Sequence, residues 1–338
     1  MLIRNNTRLK KMKIRKFRLI SFTISAYGVF FKKVSSKVVS SEIISLPEGQ
    51  LQFHYDDDIR SDPCDTVVMI NVGTAMRVTS YNDLGRSIVS STQSQLSVIA
   101  IIIDNNPRRI EKQNGKKYAD LANSIVQNLK QIVPICSNTK DSAVRYLIGG
   151  HSGGGAGAIN ALTSDPPLFS FEIAGIVGLA PFPVDPSSPM KILAPSLMWG
   201  FSNMTCLVLP HRAALAAYNI SSPSHRIFYQ VQTEQREIAT EGPHCSFADD
   251  GCLGMCSGGS QYSWIRKSGV GDSLYRFITA IRRSSFSQSQ FKIDQLDVEI
   301  FVNRNYPISD STPYAESEFL QNVSFSPDIL PNIELSNN

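Results

Sequence analysis

Residues 66–72 read Thr-Val-Val-Met-Ile-Asn-Val, an apolar, β-branched run without the polar alternation of a half-buried strand. Such a run suits a strand only where both faces of its sheet are covered. Further apolar runs follow at 96–103, 144–148, 173–180, 195–201 and 226–231. Most are separated by stretches of helical length: about Ser80 to Ser91, then 117–133, an Ala-rich segment to about Leu162, and Ala213 to Tyr218. In 117–133, Leu121, Ala122, Ile125, Val126, Leu129, Ile132 and Val133 form one apolar face, and Pro134 closes the helix. Asp272 is read as the cap of a last helix through Arg282. Strands alternating with helices predict an α/β fold, with a mostly parallel central sheet flanked by helices. Ser41–Leu46 and Leu51–Tyr55, around Pro47-Glu48-Gly49-Gln50, predict an opening hairpin. No repeat of solenoid period is present.

Charge divides the chain further. Residues 1–41 hold eleven Lys or Arg and no acid, which leaves 22 basic against 29 acidic residues in the remainder. A net negative body excludes a nucleic-acid binder, whose positive charge belongs on its folded domain. The apolar run Leu19–Phe31 is shorter than the roughly 20 residues that span a bilayer. Basic residues, a short apolar core and the small residues Ala26 and Gly28 resemble a secretory signal peptide, more closely with a start at Met12. A mitochondrial or plastid transit peptide is the rival reading. Residues 1–41 are therefore read as a targeting leader for the secretory pathway or an organelle, away from the cytoplasm. Residues 42–283 are the folded body, and the Ser-, Gln- and Asn-rich residues 284–338 a polar extension.

Six cysteines (Cys64, Cys136, Cys206, Cys245, Cys252 and Cys256) and sequons at Asn203, Asn219 and Asn322 fit an oxidising compartment. His244, Cys245, Cys252 and Cys256 match no common zinc spacing, so disulfides or free thiols are expected and no metal.

The chemistry concentrates at 146–156, Tyr-Leu-Ile-Gly-Gly-His-Ser-Gly-Gly-Gly-Ala, which holds Gly-x-Ser-x-Gly between a strand and a helix. The glycine-rich stretch 149–155 reads as the turn between them. A serine at a sharp strand-to-helix turn is strained and exposed, and small residues two before and two after let strand and helix approach. Ser152 is the expected nucleophile, with the Gly153 N–H as an oxyanion donor. Gly153, Gly155 and Ala158 also fit a Gly-x-Gly-x-x-Ala dinucleotide loop. That loop wants an acid at the end of the next strand, and Glu172 stands at its start.

A base must follow the serine in the order Ser, acid, His. Of five histidines, His54 and His151 precede it, His211 begins a helix, and His225 begins a strand at the wrong end of the sheet. His244, in the loop after the last strand, remains. The acid is placed at Asp185, with Glu234 and Glu237 as alternatives. The second oxyanion donor is expected at Thr74, with Gly73 shaping the turn after the 67–72 strand.

Together, Val72-Gly73-Thr74-Ala75-Met76-Arg77 with Tyr81 and Asp83, Gly150-His151-Ser152-Gly153-Gly154-Gly155, and His244-Cys245-Ser246-Phe247-Ala248-Asp249-Asp250 resemble the chlorophyllases and their close α/β-hydrolase relatives over roughly residues 42–283. That family reads His-Gly where this chain has Val-Gly, Gly-His-Ser-Arg-Gly-Gly in the nucleophile turn, and Leu-Asp-Asp at the end of the histidine loop. It carries its acid in an Asp-Pro-Val context near the residue that is Ala180 here; Ala180-Pro181 departs from this and Asp185 is offset. The resemblance implies a serine esterase of the α/β-hydrolase fold without cofactor, acting on an apolar ester such as the phytyl ester of chlorophyll or a lipid at a membrane surface. The alternatives are a secreted lipase or polyester hydrolase, and a non-catalytic binding protein that keeps the fold.

Overall fold

A computed structural model describes residues 39–46, 49–56, 64–92, 96–105, 114–133, 136, 144–182, 192–201, 217, 221, 225–231, 243–250, 263–283 and 323–324. Their strands form one sheet: β1 (Val39–Leu46), β2 (Gly49–Asp56), β3 (Thr66–Asn71), β4 (Val98–Asp104), β5 (Arg145–His151), β6 (Ile173–Leu179), β7 (Ser196–Phe201) and β8 (Arg226–Val231), with the two-residue β9 (Val323–Ser324) at the far edge. The spatial order is β1-β2-β4-β3-β5-β6-β7-β8-β9. Strands β3 to β8 pair in parallel, while β1, β2 and β9 join antiparallel. The helices are α1 (Asn82–Thr92), α2 (Gly115–Gln127), α3 (Leu129–Ile132), α4 (Ser152–Leu162) and α5 (Val270–Arg283).

The order explains the layers. From β3 the chain crosses through α1 to β4 on one side, then returns past β3 to β5 on the other. Right-handed crossovers in opposite directions put α1 and α2 on opposite faces. Burial follows: Leu84, Ile88 and Val89 of α1 share a core with Leu274, Phe277 and Ile278 of α5. Tyr118, Leu121 and Ile125 of α2 share the other core with Ala158 and Ile159 of α4. Each strand splits by its period of two, so Val68 and Ile70 face α1 while Val67 and Met69 face α2. A chain that leaves β3 one way and β5 the other opens a crevice at their carboxyl ends, where α/β sheets bind ligands.

Several expected elements differ in detail. The opening hairpin is longer, with β1 starting at Val39, inside the stretch read as leader, and with Leu46 paired to Gly49. The helix expected over 117–133 breaks at Asn128, whose side-chain amide bonds the Ser124 carbonyl. Asn114 caps α2 by accepting from the Lys117 N–H. Asp272 does not cap α5; it lies in the first turn, after a π-helical turn at Ile265–Gly269. The leader through residue 38, the asparagines of the three sequons and most of the extension lie outside the described residues, as does the expected helix at Ala213–Tyr218 apart from Ala217. No helix among the described residues is long and apolar enough to cross a membrane.

Cys64, just before β3, forms a disulfide with Cys136 after α3, 72 residues away. Next to it, the Asp65 carboxylate meets Arg145 at 3.0 Å and Arg282 at 2.9 Å. A cross-link closing a loop of that length restricts the unfolded chain by about 4 kcal/mol in the loop-entropy account. The double variant Cys64→Ser/Cys136→Ser is expected to lose about 2–4 kcal/mol of stability in urea unfolding, and a loss under about 1 kcal/mol would contradict that account.

Candidate active site

Strand β5 runs without a loop into α4: His151 ends the strand in extended conformation and Ser152 opens the helix. The stretch expected as a turn, 149–155, is thus half strand and half helix. The ladder to β3 continues to Gly150 and the ladder to β6 to His151. The whole reversal falls on Ser152, whose φ of 51° lies in the left-handed region. A non-glycine residue there is uncommon and costs on the order of 1–3 kcal/mol.

The flanking glycines make the reversal sterically feasible. A Cβ on Gly150 would lie 2.5 Å from the Gly154 carbonyl carbon and 2.7 Å from the Gly155 nitrogen. One on Gly154 would run into the backbone carbonyls of Asn71 and Val72 at the end of β3. Two hydrogen bonds fix the result: the Asn71 amide donates to the Gly154 carbonyl at 3.3 Å, and the Phe182 N–H to the Ser152 carbonyl at 2.9 Å. Ser152 and Gly153 open α4 with no acidic residue in its first turn. Their N–H groups have no acceptor within the helix, and the helix dipole makes this end favourable for negative charge.

The expected second donor, Thr74, lies in a turn that the Met76 N–H closes onto the Gly73 carbonyl at 3.0 Å, with Ala75 at φ 60°. Ala180, after β6, has φ 40°. All three left-handed non-glycine residues among those described therefore follow the carboxyl ends of the neighbouring strands β3, β5 and β6.

His244 sits in a 3-10 turn, Pro243–Phe247, and its ring lies 4.8 Å from that of His151, the residue before Ser152. The structure thus brings the two expected catalytic side chains to the same rim. Ser152 is 7% exposed and His244 2%. No hydrogen bond joins them, and neither ring nitrogen of His244 has a partner among the described residues. Burial, and secondarily His151, hold the His244 imidazole well below its ordinary pKa of 6.5. Asp185, Glu234 and Glu237 lie outside the described residues. Cys245 is disulfide-bonded, which removes the thiolate that a zinc site would need.

Sequence order set His151 aside as a base, and the structure gives it another role. Its Nε2 lies 2.9 Å from the His244 carbonyl, and its Nδ1 lies 2.7 Å from the Tyr81 hydroxyl. The Tyr81 oxygen also accepts from the Gly73 N–H at 2.9 Å. Burial lowers the His151 pKa to about 4, against a smaller opposite effect of the His244 carbonyl. The loop of His244 has a second anchor. The Asp249 N–H donates to the Ser80 carbonyl at 2.7 Å, and the Asp249 carboxylate accepts from the Asp83 N–H. Arg266 lies 3.3 Å from Asp249 and 3.4 Å from Asp83. Burial, then the charge of Asp83, raises the Asp249 pKa to about 6. Tyr81 and Asp83 stood in the sequence only as part of a resemblance; no spacing rule marks a tyrosine that bonds an imidazole 70 residues away.

No protein-family model matches the sequence, and a search of curated proteins returns no match.

Two outcomes follow. Gly154→Ala is expected to destabilise the protein by about 1–3 kcal/mol, the range of an overpacked contact, read from the midpoint of urea unfolding; an unchanged midpoint would show that α4 can move away from β3. The second concerns pH. His54, fully buried and without a hydrogen-bond partner, is lowered to about 4, mainly by burial and further by Arg86. With His151 also near 4, the unfolded chain binds protons below 6.5 that the folded protein refuses. Their contribution is complete above pH 6.5 and is lost as pH falls towards 4. Asp249 acts oppositely: its contribution is complete below 3.8 and fades as pH rises through 6. The imidazoles outnumber it, so the melting temperature should drop from about pH 7 to about pH 5. His54→Leu should narrow that drop, and a variant with the wild-type slope would exclude His54 as a contributor.

Proposed function

We propose that this chain is a serine hydrolase of the α/β-hydrolase fold that cleaves carboxylic esters through an acyl-enzyme. The observation that carries the reading is the left-handed Ser152 at the β5–α4 junction, beside the crevice where the crossovers from β3 and β5 diverge. In this reading the Ser152 oxygen attacks the ester carbonyl carbon while His244 takes its proton. The N–H groups of Gly153 and Thr74 hold the oxyanion. Collapse of the tetrahedral adduct expels the alcohol, which receives the proton from His244. Water, deprotonated in turn by His244, then attacks the acyl carbonyl, and collapse releases the acid as His244 returns the proton to the Ser152 oxygen. A neutral imidazole accepts a proton, and burial keeps His244 neutral. An efficient base also needs a pKa near the working pH, which a carboxylate beside it supplies; Asp185 is assigned that role.

By its resemblance to chlorophyllases, the substrate class is an apolar ester, either the phytyl ester of chlorophyll or a lipid, met at a membrane surface. The Cys64–Cys136 disulfide and the bonded Cys245 favour an oxidising compartment, in line with a basic leader that directs export or organelle import. The second reading is a binding protein that keeps the fold without turnover; the candidate acids Asp185, Glu234 and Glu237 lie outside the described residues.

A fluorophosphonate probe separates the two readings. Wild-type protein should be labelled and Ser152→Ala should not; an unlabelled wild type leaves the binding protein. His244→Gln should slow hydrolysis of a short nitrophenyl ester by about a thousandfold or more, and Asp185→Asn by at least about tenfold. A tenfold loss in Glu234→Gln instead would move the acid. Release of phytol from chlorophyll, assayed beside the nitrophenyl ester, separates a chlorophyllase from a general lipase or polyester hydrolase.

A further inference from the structure

The contacts around His151 form a chain whose direction is fixed by chemistry. A backbone carbonyl only accepts, so His151 Nε2 must carry the proton it gives to His244. In a neutral ring Nδ1 is then the acceptor, and the Tyr81 hydroxyl must donate to it. The same hydroxyl oxygen accepts the Gly73 N–H. The order is Gly73 N–H to Tyr81, Tyr81 O–H to His151, and His151 Nε2–H to the His244 carbonyl. The other neutral tautomer would set the Nε2 lone pair against the His244 carbonyl and lose that bond, and a protonated ring would reverse the bond to Tyr81. Gly73 is also sterically bound to it: a Cβ there would lie 2.9 Å from His151 Nδ1 and 3.2 Å from the Tyr81 oxygen. Phe247 covers the ring of His151, with centroids 5.3 Å apart.

The chain connects three separate pieces of the site. Gly73 precedes Thr74, His151 precedes Ser152, and the carbonyl belongs to His244 itself. We propose that Tyr81 and His151 are positioning residues, which hold the oxyanion turn and the base loop in register with the nucleophile through this one hydrogen-bond chain. The proposal rests on the hydrolase reading above. Neither residue needs to touch substrate; each acts on where Thr74 and His244 stand. Misplacing a catalytic group by about 1 Å costs on the order of a hundredfold in rate.

The test has two arms. In wild-type protein with 15N-labelled histidine, the imidazole shifts of His151 should report the neutral form with the proton on Nε2. A proton on Nδ1 would overturn the chain whether or not the protein is an enzyme. In the second arm, Tyr81→Phe keeps the ring and removes only the hydroxyl. It should lower kcat for a nitrophenyl ester by roughly tenfold or more and slow fluorophosphonate labelling equally, with KM within about twofold. His151→Leu should cost about as much, and the double variant little more than either, as expected for groups that act as one unit. Additive losses, or a Tyr81→Phe variant as fast as wild type, would overturn the positioning role while leaving Ser152 labelled. A wild type that is not labelled would overturn the hydrolase reading and the positioning role with it.

Discussion

The described structure depends on one close approach, that of the first turn of α4 to the carboxyl ends of β3 and β5. There is no linker between β5 and α4, so a single residue must turn the chain, and Ser152 does so at φ 51°. The cost is on the order of 1–3 kcal/mol. Such strain persists only where the surroundings leave no alternative. Here the two glycines permit the contact, and the Asn71 amide and the Phe182 N–H hold it from opposite sides of Ser152. The first turn of α4, whose N–H groups have no acceptor within the helix, consequently lies at the carboxyl edge where the crossovers diverge. Conformational strain and the positive helix end coincide at one residue because they share one cause.

The rim around that residue is built with the same economy of backbone. Ala75 and Ala180 also occupy left-handed conformations, each just beyond a strand that flanks β5. The loop of His244 crosses this rim and is tied at both ends of its short run, by the His151 ring at its start and by Asp249 to Ser80 and Asp83 further on. Phe247 lies between these ties, buried against His151, Trp199 and Phe201. The His244 imidazole is held by packing and by backbone contacts of its loop, and its ring nitrogens have no partner among the described residues. A surface histidine would show the opposite pattern, with an exposed ring and a loop without buried anchors.

The sheet was legible in the sequence because the runs at 66–72, 173–180, 195–201 and 226–231 are apolar enough to be covered on both faces, and their predicted bounds fall within one residue of the strands. The stretch 149–155 was not, because glycines read as turn while the parallel ladders on both sides of β5 hold 149–151 in extended form. The continuous apolar face over 117–133 concealed the break at Asn128, where a short amide competes with the helix for the Ser124 carbonyl. Ser152, Gly153, Thr74 and His244 could be named because strand order places their segments at one edge. Asp185 lies outside the described residues, and sequence alone offered three carboxylates with no steric rule to choose among them.

Strand parity accounts for the part of the site on which chain order is silent. On β5, Tyr146 and Ile148 face α2 and α4, while Leu147 faces α1 and α5. His151 is four residues beyond Leu147 and therefore faces the same side, among Tyr81, just before α1, and Phe247 of the loop that carries His244. On β3 the reverse parity sends Asn71 to the side of Val67 and Met69, where it meets Gly154. The residue before Ser152 is thus committed by geometry to the face opposite α4. From there its ring reaches both the turn before Thr74, through Tyr81 and Gly73, and the carbonyl of His244. An imidazole suits that position because it donates and accepts along one ring axis, so a single buried side chain can bond a hydroxyl on one side and a carbonyl on the other without leaving either unpaired.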